Sequence, residues 1–504
     1  MIELDGHQLT IEQVAAAARH GEIVALSDSG RQQIETSHQR LNRIIETGEP
    51  VYGINTGFGI FSDRKIPKGD IAKLSRNLIL SHAVGTGAAL SESVVRAAMV
   101  VRANTLAKGY SGVRLEVVQT ILDLLNQQVT PIVPEQGSLG SSGDLCPLSH
   151  LALVFTTDSD DRDEDSGQAT FQGKIMSGKD AMTAAGIQRI ILGAKEGLAL
   201  NNGATFSAAL AALNVLDAEH VLRMAEMSLS MSLEAVLGCS SAFDPRLHEI
   251  RGHKGQIEVA QNVLKIIHGS TLVDSGCRVQ DAYSLRCAPQ VQGAACETIA
   301  FVRKMIETEI NAATDNPLIF EPQTAISGGN FHGEPIGMVM DFLGIALAEI
   351  AAISERRIFR LTDGKLNSGL PPMLVDRPED AGLNSGLMMP QYTAASLVLE
   401  NQTLASPDSV HSLPTSAEQE DHNANSMTAA RHARQILENT KHVVTVELYS
   451  AARALDLRKR ESPDSQMGEG TQAMYQKIRD VVPYQAGDAW WGPEIQKVKD
   501  LIFL

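Results

Sequence analysis

The sequence predicts a mainly α-helical protein with two domains, residues 1–195 and residues 196–504. Three observations favour this fold class. Apolar residues recur at helical spacing over long segments of the second half, and strictly alternating runs of β-branched residues are scarce. Aromatic residues make up 4% of the 504 residues, which is low for a β-sandwich. The hydrophobic fraction of 43% is enough for a large buried core, which excludes wholesale disorder.

The first predicted domain mixes short, mainly helical elements with glycine-rich turns. Two such turns lie at residues 53–59 and 137–143. Between them and the second domain, residues 156–167 form a run in which half of the side chains are acidic. Charges of one sign repel each other and stay hydrated, so this run is predicted to be a solvated surface loop with helices on both sides.

The second predicted domain is a bundle of long helices. Residues 431–455 illustrate the pattern, because their apolar side chains follow one another at steps of 7, 4, 4 and 3 and so keep one stripe along a helix. Such a helix is longer than the average of about 11–12 residues. The stripe consists of Leu437, Val444, Leu448, Ala452 and Leu455, and similar patterns run through residues 204–236, 333–356 and 387–403.

Composition excludes several classes of partner. The net charge of −17 argues against nucleic acid, whose binding depends on clustered Lys and Arg. The most apolar stretch, residues 342–353, is interrupted by Glu349 and is shorter than the roughly 20 residues of a membrane-spanning helix. The N-terminus lacks the pattern of a secretory signal, and the 5 cysteines form no CxxC pair. We therefore expect a cytoplasmic protein that binds neither nucleic acid nor a membrane.

Patterns typical of metal and dinucleotide sites are weak. His248 and His253 are 5 residues apart, which places them on different faces of a helix. Residues 85–90 lack the third glycine of a dinucleotide fingerprint. The sequence therefore predicts no metal ligands.

The segment that points most clearly to chemistry is residues 137–150, GSLGSSGDLCPLSH. Asp144 is predicted to cap a helix that follows it. Ser141, Ser142 and Gly143 then precede a helix N-terminus, where free N–H groups and the macrodipole favour negative charge. Taken alone, such a loop is also typical of an ordinary helix cap.

The same segment resembles the signature of the histidine and phenylalanine ammonia-lyase family. In that family a small residue, a serine and a glycine cyclise and dehydrate to 4-methylideneimidazole-5-one (MIO). The resemblance implies that Ser141, Ser142 and Gly143 do so here, with no metal or soluble cofactor. Glycine leaves the attacking amide nitrogen unhindered. The family usually has alanine in place of Ser141, but ring closure uses only the carbonyl carbon of that residue.

The resemblance covers residues 50–440 and implies roles for further side chains. Its other motifs lie at residues 52–59, 101–112, 196–203, 280–286, 330–332 and 419–422. By this resemblance, Tyr52 is the general base, Arg286 binds the substrate carboxylate, Phe331 forms a wall of the ring pocket, and Tyr283, Gln280 and Asn202 orient the MIO and the substrate amine.

Two residues indicate L-histidine as the substrate. Ser81-His82 resembles the histidine-specific version of the family, and Glu420 stands where phenylalanine lyases carry glutamine. An imidazole offers one donor and one acceptor, which His82 and Glu420 satisfy. A phenyl ring would leave a buried carboxylate unpaired. The implied reaction eliminates ammonia from L-histidine to give trans-urocanate, the first step of histidine degradation.

The resemblance also implies an assembly and a fold. Family members are homotetramers with sites shared among subunits, and their architecture is that of the fumarase and aspartase group. One alternative is a tyrosine or phenylalanine ammonia-lyase or an aminomutase, suggested by Ser141 and by Asn201 in place of an aliphatic residue. A fumarase-type lyase lacks its GSSxMPxKxN signature. A third alternative is a catalytically silent scaffold in which Ser141 prevents ring formation.

Overall fold

The computed structural model describes residues 1–61, 63–276 and 278–503, and it confirms a mainly α-helical chain. The predicted long helices are present, the longest with 36, 31 and 29 residues. The predicted segments 204–236 and 387–403 match their helices to within 1 residue, whereas the helices over segments 333–356 and 431–455 extend up to 6 residues further. The α-helices are α1 (Ile11–His20), α2 (Asp28–Thr47), α3 (Ile71–His82), α4 (Glu92–Ala107), α5 (Leu115–Asn126), α6 (Leu145–Phe155), α7 (Gly178–Ala184), α8 (Glu196–Asn201), α9 (Thr205–Ala235), α10 (Pro245–Glu249), α11 (Lys254–Ile266), α12 (Tyr283–Arg286), α13 (Ala288–Glu309), α14 (Glu334–Thr362), α15 (Met388–Leu404), α16 (Ser426–Glu461), α17 (Glu469–Val481) and α18 (Trp491–Phe503).

The β-structure of the described residues consists of small sheets. One pair of strands is parallel, two pairs are antiparallel, and three strands form an antiparallel sheet. Such short strands connect helices and contribute little core of their own. The parallel pair is β1 (Ile2–Leu4) with β2 (Val24–Leu26), the antiparallel pairs are β3 (Thr86–Ala89) with β5 (Pro134–Gln136) and β8 (Leu318–Phe320) with β9 (Thr324–Ile326), and the three-stranded sheet is β4 (Thr130–Pro131), β6 (Gln168–Phe171) and β7 (Lys174–Ser177).

The chain forms two compact units. Unit 1 contains residues 1–216, 303–341 and 407–431, and unit 2 contains residues 217–302, 342–406 and 432–504. Two segments from the second half of the chain, residues 303–341 and 407–431, thus belong to unit 1. The division into domains 1–195 and 196–504 stays a prediction.

Unit 2 is built from helices around buried polar contacts as well as apolar ones. Glu447 of α16 is fully buried and accepts hydrogen bonds from Arg357 and Ser354 of α14. Ser228 and Ser232 of α9 donate to the same carboxylate at 2.8 and 2.7 Å. A buried charge is tolerated when it is paired and hydrogen-bonded in this way.

One described helix, α14, is long and apolar enough to cross a membrane by length and composition. It extends well beyond the apolar residues 342–353. Its most apolar window is 72% buried inside the protein. Burial in the core therefore accounts for its apolar surface.

The acidic segment 156–167 differs from the predicted solvated loop with helices on both sides. Helix α6 precedes it, but the hairpin of β6 and β7 follows it. Its Asp161 accepts two hydrogen bonds from Arg76 of α3, at 3.0 and 2.8 Å, and the two side chains are only 8% and 2% exposed. The segment thus supplies a buried counter-charge as well as exposed acids.

Candidate functional site

A cavity of about 1450 Å³ in unit 1 brings together most of the predicted site. It lies where the loop before α6 meets the end of α3 and the segment around residue 420. Gly143 is buried beside this cavity without lining it. The predicted residues that line it are Tyr52, His82, Ser141, Ser142, Asn202, Phe331 and Glu420.

The loop before α6 is held in place by a close approach of two glycines. Gly143 has φ +74°, and a side chain at this position would lie 2.0 Å from the carbonyl carbon of Gly203. The backbone N–H of Asp144 donates to the carbonyl of Gly203 at 2.9 Å. Only glycine combines this conformation with this contact, so Gly143 is required by packing as well as by the predicted chemistry.

The carbonyl oxygen of Ser142 accepts two hydrogen bonds. Asn202 Nδ2 donates to it at 2.8 Å, and the backbone N–H of Gly203 donates at 3.2 Å. Two donors fixed on one carbonyl form the arrangement that stabilises negative charge developing on an oxygen. This carbonyl is the one that the predicted MIO ring would retain, so the residues present fit that group.

The hydroxyl of Ser142 points to the opposite side, toward Glu420. It donates to Glu420 Oε1 at 2.8 Å. Glu420 lies in a turn that Thr415 and Glu420 close by pairing their backbones. Serine and carboxylate are 278 residues apart in the chain, and the fold makes them direct neighbours in the cavity.

Burial sets the ionisation of two further side chains in the cavity. Burial lowers the pKa of His82 and outweighs the opposite effects of a backbone hydrogen bond with Leu78 and of the Glu420 carboxylate, so the imidazole is neutral at neutral pH. Ser81 Oγ lies 3.0 Å from His82 Nδ1, at the end of α3. Burial, with a smaller contribution from Glu420, raises the pKa of the Tyr52 phenol, which is therefore protonated at neutral pH in this chain.

Asp144 occupies the N-cap position of α6, as predicted, but its side chain does not cap that helix. The carboxylate instead accepts hydrogen bonds from Ser138 Oγ at 2.8 Å and from the backbone N–H of Ser207 at 2.7 Å. Burial raises the pKa of Asp144 against the effect of these bonds. Asp144 therefore fastens the loop to α9.

Arg102 supports the turn that carries Asn202 from behind. Its buried guanidinium donates to the carbonyl of Asn202 at 2.7 Å and also to the carbonyl of Ala199. Burial lowers the pKa of Arg102 to about 10 against the charges of Asp315 and Asp144. The sequence motif around Arg102 gave no indication of this contact.

Besides Gly143, three predicted site residues do not line the cavity. Gln280, Tyr283 and Arg286 belong to unit 2, in and just before the short helix α12. Tyr283 is 70% exposed, and Arg286 lies over its ring at 4.7 Å from the centroid. The Nε of Arg286 has no hydrogen-bond partner among the described residues.

Sequence reasoning missed Asn423, whose side chain contacts the predicted precursor of the MIO group. Its Nδ2 donates to Ser141 Oγ at 2.6 Å, and both residues are buried. Asn423 lies only 3 residues after Glu420, and this proximity was the one available signal. No periodicity or motif indicates which loop an asparagine amide will contact.

Comparison with known proteins places these observations in a family. The family model described as aromatic amino acid lyase matches residues 9–480. A histidine ammonia-lyase from Caldanaerobacter subterraneus subsp. tengcongensis is 49% identical over 95% of this chain and 92% of the relative.

Solved structures agree with this similarity. The crystal structure of histidine ammonia-lyase from Trypanosoma cruzi superposes with a TM-score of 0.90 at 38% identity, covering 99% of this chain and 93% of that chain. The tyrosine aminomutase from Streptomyces globisporus has a TM-score of 0.92 at 34% identity, covering 100% and 96%. The likeness therefore extends over the whole fold and is not confined to the loop before α6.

Proposed function

This chain belongs to the aromatic amino acid lyase family and is a carbon–nitrogen lyase, and we propose that it converts L-histidine to trans-urocanate and ammonia. The observation that carries the proposal is the environment of Ser142. Its carbonyl accepts from Asn202 and Gly203, and its hydroxyl donates to Glu420. This serine lies in one cavity with His82, where a neutral imidazole faces a carboxylate.

The prosthetic group in this proposal is MIO, formed from Ser141, Ser142 and Gly143. When present, it supplies an electrophile that makes the substrate amine a better leaving group. Asn202 and Gly203 would hold its carbonyl oxygen with the hydrogen bonds they now make to Ser142. Condensation removes the Ser142 hydroxyl, so the oxygen of Glu420 that accepts from it becomes available to another donor.

His82 and Glu420 would bind the substrate imidazole. The neutral imidazole of His82 can donate or accept, and the carboxylate of Glu420 accepts from the ring N–H. A site built on such hydrogen bonds rejects an analogue that lacks them by roughly 10⁴–10⁵-fold. The proposed selectivity for histidine over phenylalanine therefore depends on this pair, and Phe331 provides the apolar wall beside it.

Tyr52 would act as the general base that removes the β-proton. Its phenol is protonated in the isolated chain, because burial raises its pKa. A nearby cation lowers the pKa of a phenol, and we propose that Arg286 of a second copy supplies this charge while it binds the substrate carboxylate. Gln280 and Tyr283 would reach the site with it, and we propose that the sites are shared between subunits of a homotetramer. We also propose that this enzyme is cytoplasmic.

The proposal is tested by incubating the protein with L-histidine and following urocanate absorbance. We expect Ser142→Ala to abolish turnover while circular dichroism and the unfolding temperature stay unchanged. The mass of the protein without substitutions should be lower than the mass calculated from its sequence by two water molecules. The Ser142→Ala variant should keep the full calculated mass. Ser91→Ala, an exposed serine at the start of α4, controls for loss of a hydroxyl. Retained turnover in Ser142→Ala would refute the MIO assignment.

Products from other amino acids distinguish the alternatives. Cinnamate from phenylalanine, or a β-amino acid from tyrosine, would indicate a lyase or aminomutase of different selectivity. A protein of full mass without turnover would indicate a silent scaffold.

A further inference from the structure

We propose that Asn423 is a positioning residue for the condensation of Ser141, Ser142 and Gly143, and that it acts through the Ser141 hydroxyl. The inference rests on the proposed function, since it concerns formation of the same group. It assigns a purpose to the Ser141 side chain, which ring closure itself does not use. Ser141 and Asn423 form one hydrogen-bonded pair.

Two hydrogen bonds orient the side-chain amide of Asn423, and a third holds its backbone. Its Nδ2 donates to Ser141 Oγ at 2.6 Å, and its Oδ1 accepts from the backbone N–H of Leu413 at 3.0 Å. The backbone N–H of Asn423 donates to Ser412 Oγ at 2.8 Å. The side chain is 1% exposed, so water does not compete for these bonds. The donor that faces Ser141 therefore has a fixed position.

The residues after Asn423 also contact the precursor loop. The backbone N–H of Asn425 donates to the carbonyl of Leu139 at 2.7 Å. Ser426 lies so close to Gly140 that a side chain there would be 2.3 Å from Ser426 Oγ. Asn423 thus completes a continuous contact along residues 139–141. This contact holds the residue that must supply the carbonyl carbon.

The other end of the precursor is held independently. Asn202 and Gly203 bind the carbonyl of Ser142, and Gly143 packs on Gly203. Condensation joins the two held ends, because the nitrogen of Gly143 must reach the carbonyl carbon of Ser141. Holding reacting groups in the correct orientation lowers the barrier, since the entropy is lost before the reaction.

The atoms of the condensation show why the pair survives it. A bond forms between the Gly143 nitrogen and the Ser141 carbonyl carbon. The Ser141 carbonyl oxygen leaves as water with the amide hydrogens of Gly143 and Ser142. The Ser142 hydroxyl leaves as a second water with the α-hydrogen of the same residue. The Ser141 side chain takes no part, so its bond to Asn423 affects the rate of the condensation and leaves the product unchanged.

The test is a double-mutant cycle measured on full-length protein made by cell-free synthesis. Intact mass, followed over time, gives the rate at which two waters are lost. We expect Asn423→Ala to slow this loss about tenfold, the effect of one hydrogen bond. In the Ser141→Ala background, the same substitution should change the rate by less than about threefold, because the interaction is already absent. Asn214→Ala is the control, since Asn214 is also fully buried in unit 1 and donates to the carbonyl of Ala430. It should lower the unfolding temperature without slowing the loss of water.

Each outcome decides the question. Two results would overturn the proposal that the Ser141–Asn423 pair positions the condensation. In the first, Asn423→Ala slows the loss of water equally in the protein without other substitutions and in the Ser141→Ala background; in the second, it slows the loss of water in neither. If the Asn214→Ala control also slows the loss of water, general destabilisation explains the effect of Asn423→Ala, and the proposal is overturned as well. If the protein without substitutions loses no water, the proposed function itself fails. This result differs from a double-mutant cycle in which Ser141 and Asn423 show no coupling.

A second variant keeps the test valid if Asn423→Ala does not fold. Asn423→Asp retains the acceptor for Leu413 N–H and loses only the donor. The Ser141 hydroxyl can then donate to the carboxylate. The rate of water loss should therefore stay within about threefold of that of the protein without substitutions. In the Ser141→Ala background the aspartate has no donor to face it, and the loss of water should slow about tenfold. Identical rates in the two backgrounds would overturn the proposal.

Discussion

The Glu420 carboxylate connects the precursor of the MIO group with the proposed recognition of substrate. Before condensation, its Oε1 accepts from the Ser142 hydroxyl. The proposed condensation would remove this hydroxyl, and the proposed new donor is the imidazole of L-histidine. A charged acceptor makes a stronger hydrogen bond than a neutral one, by roughly a factor of two. It also disfavours an apolar ring, which cannot compensate for its loss of hydration.

We expect Glu420→Gln to lower kcat/KM for L-histidine about tenfold or more, since the charge-assisted bond becomes a neutral one. Turnover of phenylalanine should rise, because the amide is easier to desolvate. Glu418→Gln, an exposed acid in the same turn, is the matched control and should change neither value. Steady-state kinetics with both amino acids measure the effect. An unchanged preference would remove Glu420 from the explanation of selectivity.

The sequence predicted the residues of the site that carry distinctive chemistry better than those that support them. Ser142, Gly143 and Glu420 stand in recognisable motifs, and the cavity contains or adjoins all three. Asp144 reached its predicted position, but its carboxylate bonds to residues of other segments. Asn423 was missed because its contact joins positions 282 residues apart. Such contacts are products of the tertiary fold, and local patterns carry no information about them.

At the scale of elements, α4 places two buried arginines in different surroundings. Arg96 donates to the carbonyls of Ala17, Ala18 and Leu125, away from the cavity. Arg102 donates to the carbonyl of Asn202, whose side chain in turn donates to Ser142. Both guanidinium groups satisfy carbonyls that water cannot reach, but only Arg102 supports the turn that binds the Ser142 carbonyl.

This contrast predicts different effects of two equivalent substitutions. Arg102→Met and Arg96→Met should each lower the free energy of unfolding by about 2–5 kcal/mol, because each leaves buried carbonyls without donors. Arg102→Met should also reduce kcat by up to about 10²-fold through displacement of Asn202, whereas Arg96→Met should leave kcat unchanged. Urea unfolding and kinetics at saturating L-histidine measure the two effects. Equal values of kcat would show that Arg102 is only structural.

Long helices were predictable, whereas short elements were not. Helices α9, α15 and α16 agree with the predicted segments because many residues contribute to each apolar stripe. The hairpin of β6 and β7 was expected to be helical, since strands of 4 residues contain too few positions to establish a period. The neighbouring acidic segment was predicted to be a solvated loop because of its charge. Charge alone does not indicate that one of its carboxylates pairs with the buried Arg76.

At the scale of the whole molecule, the mainly α-helical class followed from composition and periodicity. The assignment of residues to the two units did not follow from the sequence, because residues 303–341 and 407–431 belong to unit 1 although they lie in the second half of the chain. Gln280, Tyr283 and Arg286 lie in unit 2 and do not line the cavity of unit 1. The proposed shared site explains this division, since it takes the arginine and the serine from different copies.

Shared sites predict complementation between inactive variants. Ser142→Ala and Arg286→Met should each be inactive alone, but co-expression should restore activity. Random assortment combines an intact serine with an intact arginine in about one quarter of the sites. A mixture of Ser142→Ala and Asn202→Ala is the control and should stay inactive, because these residues contact each other within one unit. Urocanate formation by purified mixed oligomers measures recovery. No recovery in verified mixed oligomers would contradict shared sites.

The bidentate pair between Arg76 and Asp161 has a consequence for anyone who wishes to shorten this protein. Exposed loops are ordinarily the safest residues to delete, and the acidic segment looks like such a loop. Its removal would leave the buried Arg76 guanidinium without its counter-charge and would lower the free energy of unfolding by about 3–5 kcal/mol. Because Arg76 and His82 share α3, the damage would spread to the imidazole that faces the cavity. A minimised version must keep Asp161 or replace Arg76 with an apolar side chain at the same time.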